Sequence, residues 1–115
     1  MRAPAHRQVD SVFDALADPT RRRVVETLAR GGTVTASGLA AQLPITRQAV
    51  AKHLSALRGA ELVTVTRVGR EAHYKLRPQP LDEAAQWIQT VSAEWDDRLD
   101  ALRGSLEKGR GRRSR

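Results

Sequence analysis

Between residues 33 and 77 the chain sets Pro44 between two stretches of helical apolar spacing, and Gly69 between two stretches of alternating polarity. Proline breaks a helix and glycine permits the sharp reversal of a hairpin, so this order predicts two short helices across a tight turn, then a two-stranded hairpin. In the second helix, from Thr46 to about Gly59, Val50, Leu54 and Leu57 lie at i, i+4 and i+7 and form a buried stripe. Gln48, Lys52 and Ser55 then face outward. Thr46 is placed to cap this helix and Thr35 the one before it, whose Leu39, Ala40 and Leu43 point inward, while Ile45 plugs the turn. Strands are read over 62–67 and 72–77, flanking Val68-Gly69-Arg70-Glu71.

Upstream, the spacing predicts a helix over residues 8–17 on Val9, Phe13 and Leu16, with Val12 at the border of the stripe. It ends at Asp18-Pro19, because the residue before proline is held out of the helical region. The same pair starts the next helix: Asp18 caps, Pro19 suits the first position, Val24, Val25 and Leu28 form the apolar face, and Gly31-Gly32 stops it. Thr33 to Thr35 read as a short extended lead into the third helix. Downstream, residues 81–108 read as one helix, roughly 40 Å long at about 1.5 Å per residue. Its apolar residues, from Leu81 and Ala84 to Leu102 and Leu106, recur by threes and fours. A small domain cannot cover so long a stripe. A homodimer is therefore expected, joined through Ile88, Val91, Trp95, Leu99 and Leu102, with Val9 and Phe13 of the first helix beside them. Residues 1–7 are expected to form a flexible arm, 8–80 the main domain, 81–108 the dimerisation helix, and 109–115, GRGRRSR, a basic disordered tail.

A length of 115 residues supports one core. The absence of cysteine excludes disulfides, thiolate metal sites and thiol switches. No apolar run approaches a membrane span or a signal-peptide core, so a soluble cytoplasmic protein without a membrane partner is expected. The net charge of +7 is unevenly spread. Residues 11–80 carry eleven basic against five acidic side chains, residues 81–108 three against seven, and the last seven residues four basic and none acidic. That division suits one face turned to a polyanion and another held away from it.

An α-helix fits the major groove of DNA, and the helix opening Thr46-Arg47-Gln48-Ala49-Val50-Ala51-Lys52-His53 carries matching chemistry. Arg47 can bond bidentately to guanine and Gln48 to adenine, whereas Thr46, Lys52 and His53 suit phosphate or mixed contacts. The other reading is a solvated polar face and, for His53, a capping or packing role. In the hairpin Arg67, Arg70, His73 and Lys75 put positive charge on a narrow projection that can follow a backbone or enter the minor groove; a solvated wing is the alternative. Arg21, Arg22 and Arg23 cannot share one direction on a helix. One is expected to pair with a carboxylate such as Asp18 or Glu26, another to touch phosphate. The tail arginines add sequence-independent attraction, or only solubility.

Ala15-Leu16-Ala17-Asp18-Pro19-Thr20-Arg21-Arg22 with Leu28, then Leu39-Ala40, Val50-Ala51-Lys52-His53-Leu54-Ser55-Ala56-Leu57, and Gly69-Arg70 with Tyr74-Lys75-Leu76 resemble the ArsR/SmtB family of bacterial winged-helix repressors. The match runs from about residue 9 to 77. Both the residue pattern and the resemblance point to a mainly α fold with a small β-hairpin wing, a winged helix-turn-helix dimerised through a long C-terminal helix. The resemblance implies a dimeric transcriptional regulator that binds a palindromic operator, often in its own promoter, with Thr46–His53 as the recognition helix and the wing around Arg70. The metal-sensing members keep thiolates in the third helix or an Asp and His set in the last one. Here 36–43 has no cysteine and the last helix no histidine, while His6, His53 and His73 lie in an arm, a reading helix and a wing. No metal and no other cofactor is expected. Gly38 stands where the family often has a carboxylate that completes a capping box with the residue at Thr35.

Three functions are thus in view. The leading one is a sequence-specific repressor that covers a promoter, its two reading helices set roughly 34 Å apart. The second is a sequence-neutral DNA coater that uses charge alone. The third is a protein-interaction module with the acidic helix as its contact. An enzyme is not expected, since there is no cysteine nucleophile, Gly-x-Ser-x-Gly elbow or phosphate loop. Trp87 and Trp95 are read as filling the dimer core; the other reading is an apolar pocket for an organic inducer, whose identity stays open.

Overall fold

The computed structural model describes the backbone of residues 3–113 and the side chains of residues 8–108. Its elements run α1 Ala3–Leu16, α2 Pro19–Gly31, β1 Thr33–Val34, α3 Ala36–Gln42, α4 Arg47–Gly59, β2 Val63–Val68, β3 Glu71–Leu76 and α5 Gln79–Arg113. Residues 1–84 and 85–115 form two separate units.

In the first unit α2, α3 and α4 each start on a residue whose side chain suits the job. The Asp18 carboxylate accepts from the amides of Thr20 at 2.8 Å and Arg21 at 3.1 Å. Thr35 Oγ1 accepts from Gly38 N at 3.0 Å, and Thr46 Oγ1 from Ala49 N at 3.0 Å. These bonds occupy amides that the first turn of a helix leaves without partners. At Gly38 the capping box is one-sided: the amide is used and no carboxylate returns to Thr35. The end of α4 closes differently. Glu61 N donates to Arg58 O at 3.0 Å and Leu62 N to Leu57 O at 2.9 Å, with Glu61 itself at φ 60. This is a Schellman closure in which glutamate occupies the left-handed position that glycine usually takes.

The core joins Val12 and Ala15 of α1, Val24, Val25 and Leu28 of α2, Leu39 of α3, Val50, Leu54 and Leu57 of α4, then Leu62, Val63 and Ala84. Leu43, Ile45 and Tyr74 pack against it while partly exposed. The stripe of α1 is therefore rotated from the expected one: Val12 is central, and Phe13 lies on the exposed flank. Val9, Phe13 and Leu16 match helical spacing, but so do Val12 and Ala15, and small residues fit where α1 approaches α2. Thr27 is buried, its hydroxyl donating to Arg23 O at 2.8 Å.

The hairpin reverses in two residues, Gly69-Arg70, between the paired Val68 and Glu71. Gly69 has φ 63 and Arg70 no positive φ, the pattern of a type II′ turn, which needs glycine at its first central position. A third strand joins the expected two. β1 pairs antiparallel with β3, Thr33 against Lys75 and Val34 against Tyr74, so the sheet order is β1-β3-β2.

Helix limits extend past the expected ones. α1 starts at Ala3, so residues 3–7 of the expected arm have helical backbone; alanine and arginine favour it, and Pro4 is tolerated in a first turn. α5 starts at Gln79, with Pro80 in its first turn, and runs to Arg113, past the expected stop at Lys108. Residues 1, 2, 114 and 115 lie outside the described residues, as do the side chains of the tail arginines. In the second unit, which is one helix, Trp87, Ile88, Val91, Trp95, Leu102 and Leu106 are all exposed and Leu99 is half-buried. Among the described residues no helix is long and apolar enough to cross a membrane.

Candidate nucleic-acid interface

α4 buries Val50, Leu54 and Leu57, and this fixes the phase of everything else on the helix. Thr46, Arg47, Gln48, Ala51, Lys52 and Ser55 are exposed, and Ala49 is half-buried. Residues one apart on a helix point about 100° apart, and residues four apart share a direction. Arg47 and Ala51 therefore occupy one stripe, Gln48, Lys52 and Ser55 the next. Thr46 has a structural task as well, since its hydroxyl oxygen caps α4.

The stripe of Arg47 and Ala51 faces the wing. Both line a groove of about 360 Å3 together with Ser37 at the start of α3, Arg67, Arg70 and Tyr74. Strand register explains why Arg67 is present. Arg67 pairs with Ala72 and Val65 with Tyr74, so Arg67 shares a sheet face with the half-buried Tyr74, whereas His73, paired with Thr66, is on the reverse face with Lys75. The structure thus gathers Arg47, Arg67 and Arg70 around one groove and leaves His73 outside it. There His73 Nε2 lies 3.2 Å from Glu71 Oε1. Neither Tyr74 nor Ser37 is signalled as a groove residue by spacing, because the groove depends on long-range pairing of strands and helices.

His53 is half-buried, and its Nδ1 accepts from Arg21 Nε at 3.3 Å. Arg21 Nη1 also donates to Ala15 O at 3.4 Å, and Arg22 Nη1 to Leu16 O at 2.6 Å and Ala17 O at 3.4 Å. The guanidinium groups of Arg21 and Arg22 therefore donate to the last carbonyls of α1 and to that of Ala17, where a carboxylate partner was expected. A cation at a helix C-terminus is favourable and satisfies otherwise orphaned acceptors. Of the expected reading residues on α4, His53 is the one whose side chain is tied to another helix. The Asp18 carboxyl is held below the usual carboxylate range chiefly by the Arg21 amide, which outweighs the opposing effect of burial, with smaller contributions from the Thr20 amide and the nearby His53 and Arg21 side chains.

By contrast, none of the guanidinium groups of Arg47, Arg67 and Arg70 makes a hydrogen bond or ion pair among the described residues. Together with Gln48 and Lys52 they form a basic surface on α4 and the wing with its donors unused.

A helix-turn-helix domain model matches residues 16–66 of the chain. The transcriptional repressor SdpR of Bacillus subtilis (strain 168) is 31% identical over 91 residues, covering 79% of this chain and 100% of the relative. The HTH-type transcriptional regulator CmtR of Mycobacterium tuberculosis is 44% identical over 80 residues, covering 69% and 67%. Among solved structures, an ArsR-like transcriptional regulator from Rhodococcus sp. RHA1 superposes with a TM-score of 0.74 at 42% identity, covering 84% of this chain and 91% of that one. The capped helices, the exposed polar stripe of α4 and the wing agree with these likenesses, and the chain belongs to the ArsR/SmtB family of winged helix-turn-helix, DNA-binding transcriptional regulators.

Proposed function

We propose that the chain is a sequence-specific repressor that binds a palindromic operator as a homodimer in the cytoplasm and represses by covering a promoter, without catalysis. The observation that carries this reading is the phase of α4. Burial of Val50, Leu54 and Leu57 turns Gln48 and Lys52 outward from a helix that Thr46 starts at its DNA-facing end. Such a helix reads base edges through the side chains of its first turns, and an exposed glutamine matches the donor and acceptor pair of adenine. SdpR, fully covered by the match, is itself named a repressor. The relative CmtR is titled a cadmium metal-sensor in its solved structure, whereas this chain has no cysteine; release by a thiolate-bound metal is not proposed for it.

Selection of bound duplexes from a random pool, followed by footprinting of the winner, tests the reading. The expected result is one protected inverted repeat that survives an excess of random competitor. Gln48→Ala should then weaken that complex by about 1 to 3 kcal/mol and relax a single base position in each half-site. Enrichment of no sequence over the random pool would instead support the sequence-neutral coater.

A further inference from the structure

The groove between α4 and the wing gathers a different set of side chains from the outward face of α4. We propose that it is a phosphate site which holds the DNA strand bordering the major groove, and that Arg47 belongs to this site rather than to base reading; this rests on the proposed operator binding. Three arginines reach the groove from separate places: Arg47 from the first turn of α4, Arg67 from β2 and Arg70 from the hairpin tip. None has a protein partner among the described residues, so three uncompensated cations converge on about 360 Å3. Ser37 adds a hydroxyl and Tyr74 a phenol to the wall. The single acid among the lining residues, Glu71, has its carboxylate 3.2 Å from His73 Nε2.

Phosphate is the ligand that suits this set. Guanidinium groups bind phosphate oxygens by paired, charge-assisted hydrogen bonds, and hydroxyls complete the shell. The groove also has the right place in the fold, since the strand between a major groove read by α4 and a minor groove approached by the wing must pass between those two elements. A stripe 100° away, Gln48 and Lys52, remains for the bases. The arrangement divides labour along one helix. Arg47 contributes affinity without sequence preference, and Gln48 contributes preference.

The salt dependence of DNA affinity separates these roles, measured on the full chain with the selected duplex and with a random one. Arg67→Gln and Arg47→Gln are each expected to weaken both duplexes by the same factor, about tenfold, leaving their ratio unchanged, and to lower the slope of log affinity against log salt by about one per chain. Ser37→Asp is a second probe that does not threaten the fold, because an acid in the first turn of α3 suits the helix dipole. It should melt no lower than wild type and still weaken both duplexes equally. A fall in the ratio for Arg47→Gln, with the slope intact, would return Arg47 to base reading and overturn the assignment. So would an unchanged slope in Arg67→Gln combined with loss of a stabilising shift by inorganic phosphate, which would make the groove a site for a free anion. The slope is measurable on random duplex alone. A chain that selects no sequence but loses slope in these variants would fail as a repressor and keep its phosphate groove.

Discussion

At the scale of single residues, Asp18 joins stability to pH. Its carboxylate caps α2 through two amides, and those bonds hold its pKa low. A folded pKa below the unfolded one means that the unfolded chain takes up the proton first. The contribution of Asp18 is therefore complete above the ordinary carboxylate range and fades as pH falls through the lowered value. Asp18→Asn keeps an oxygen for the cap and removes the titration. The melting temperatures of the two proteins should differ at neutral pH, start to approach one another only below about pH 4, and converge once pH has fallen through the lowered value; parallel curves would show that Asp18 contributes no proton linkage. The capping role was legible in the dipeptide Asp18-Pro19, because capping is local. The role of Arg21 was not. Its bonds to Ala15 O and His53 Nδ1 span 6 and 32 residues, and spacing on one helix says nothing of a neighbour's last carbonyls.

At the scale of elements, proline, glycine and apolar period located every helix and both hairpin strands, since each signal acts within a few residues. What escaped was pairing between distant segments. β1 is two residues long, too short to display alternation, and becomes a strand only because the edge of β3 is open to it. The Schellman closure of α4 was equally hidden, because no glycine marks it. Glu61 holds φ 60, a conformation that costs an ordinary residue about 1 kcal/mol or more. Its return is an exposed ion pair with Arg77 at 3.2 Å, of a kind worth roughly 0 to 1 kcal/mol. Glu61→Gly should accordingly raise stability by about 0.5 to 1 kcal/mol in urea unfolding. DNA affinity should not change, since Glu61 follows the end of α4 opposite to Arg47. A clear loss of stability would mean that Arg77, which also donates to Gln79 Oε1 at 3.2 Å, depends on Glu61 to hold the approach to α5.

At the scale of the whole molecule, the charge division and the apolar stripe call for the same assembly. Among the described residues the unit of residues 85–115 buries no side chain, and Trp95, Leu102 and Leu106 are each more than half exposed. Burying such a side chain contributes about 1.5 to 3 kcal/mol, so pairing two copies of this stripe is the economical way to remove it from water. Phe13, exposed on α1, is a second apolar position proposed for the same interface. In the proposed dimer, assembly feeds into DNA affinity, because two linked α4 helices would meet neighbouring half-sites at a high effective concentration. Trp95→Glu combined with Leu102→Glu places charge in the stripe while leaving the core of residues 1–84 untouched. Sedimentation should show wild type as a dimer of 12.7 kDa chains and the double variant as single chains. The variant should keep the helix content and melting of its first unit, lose most of its affinity for the full inverted repeat, and bind an isolated half-site as wild type does. A wild-type protein that sediments as a single chain at concentrations where it protects the full repeat would show that the two half-sites are filled independently, and the stripe on α5 would need another partner.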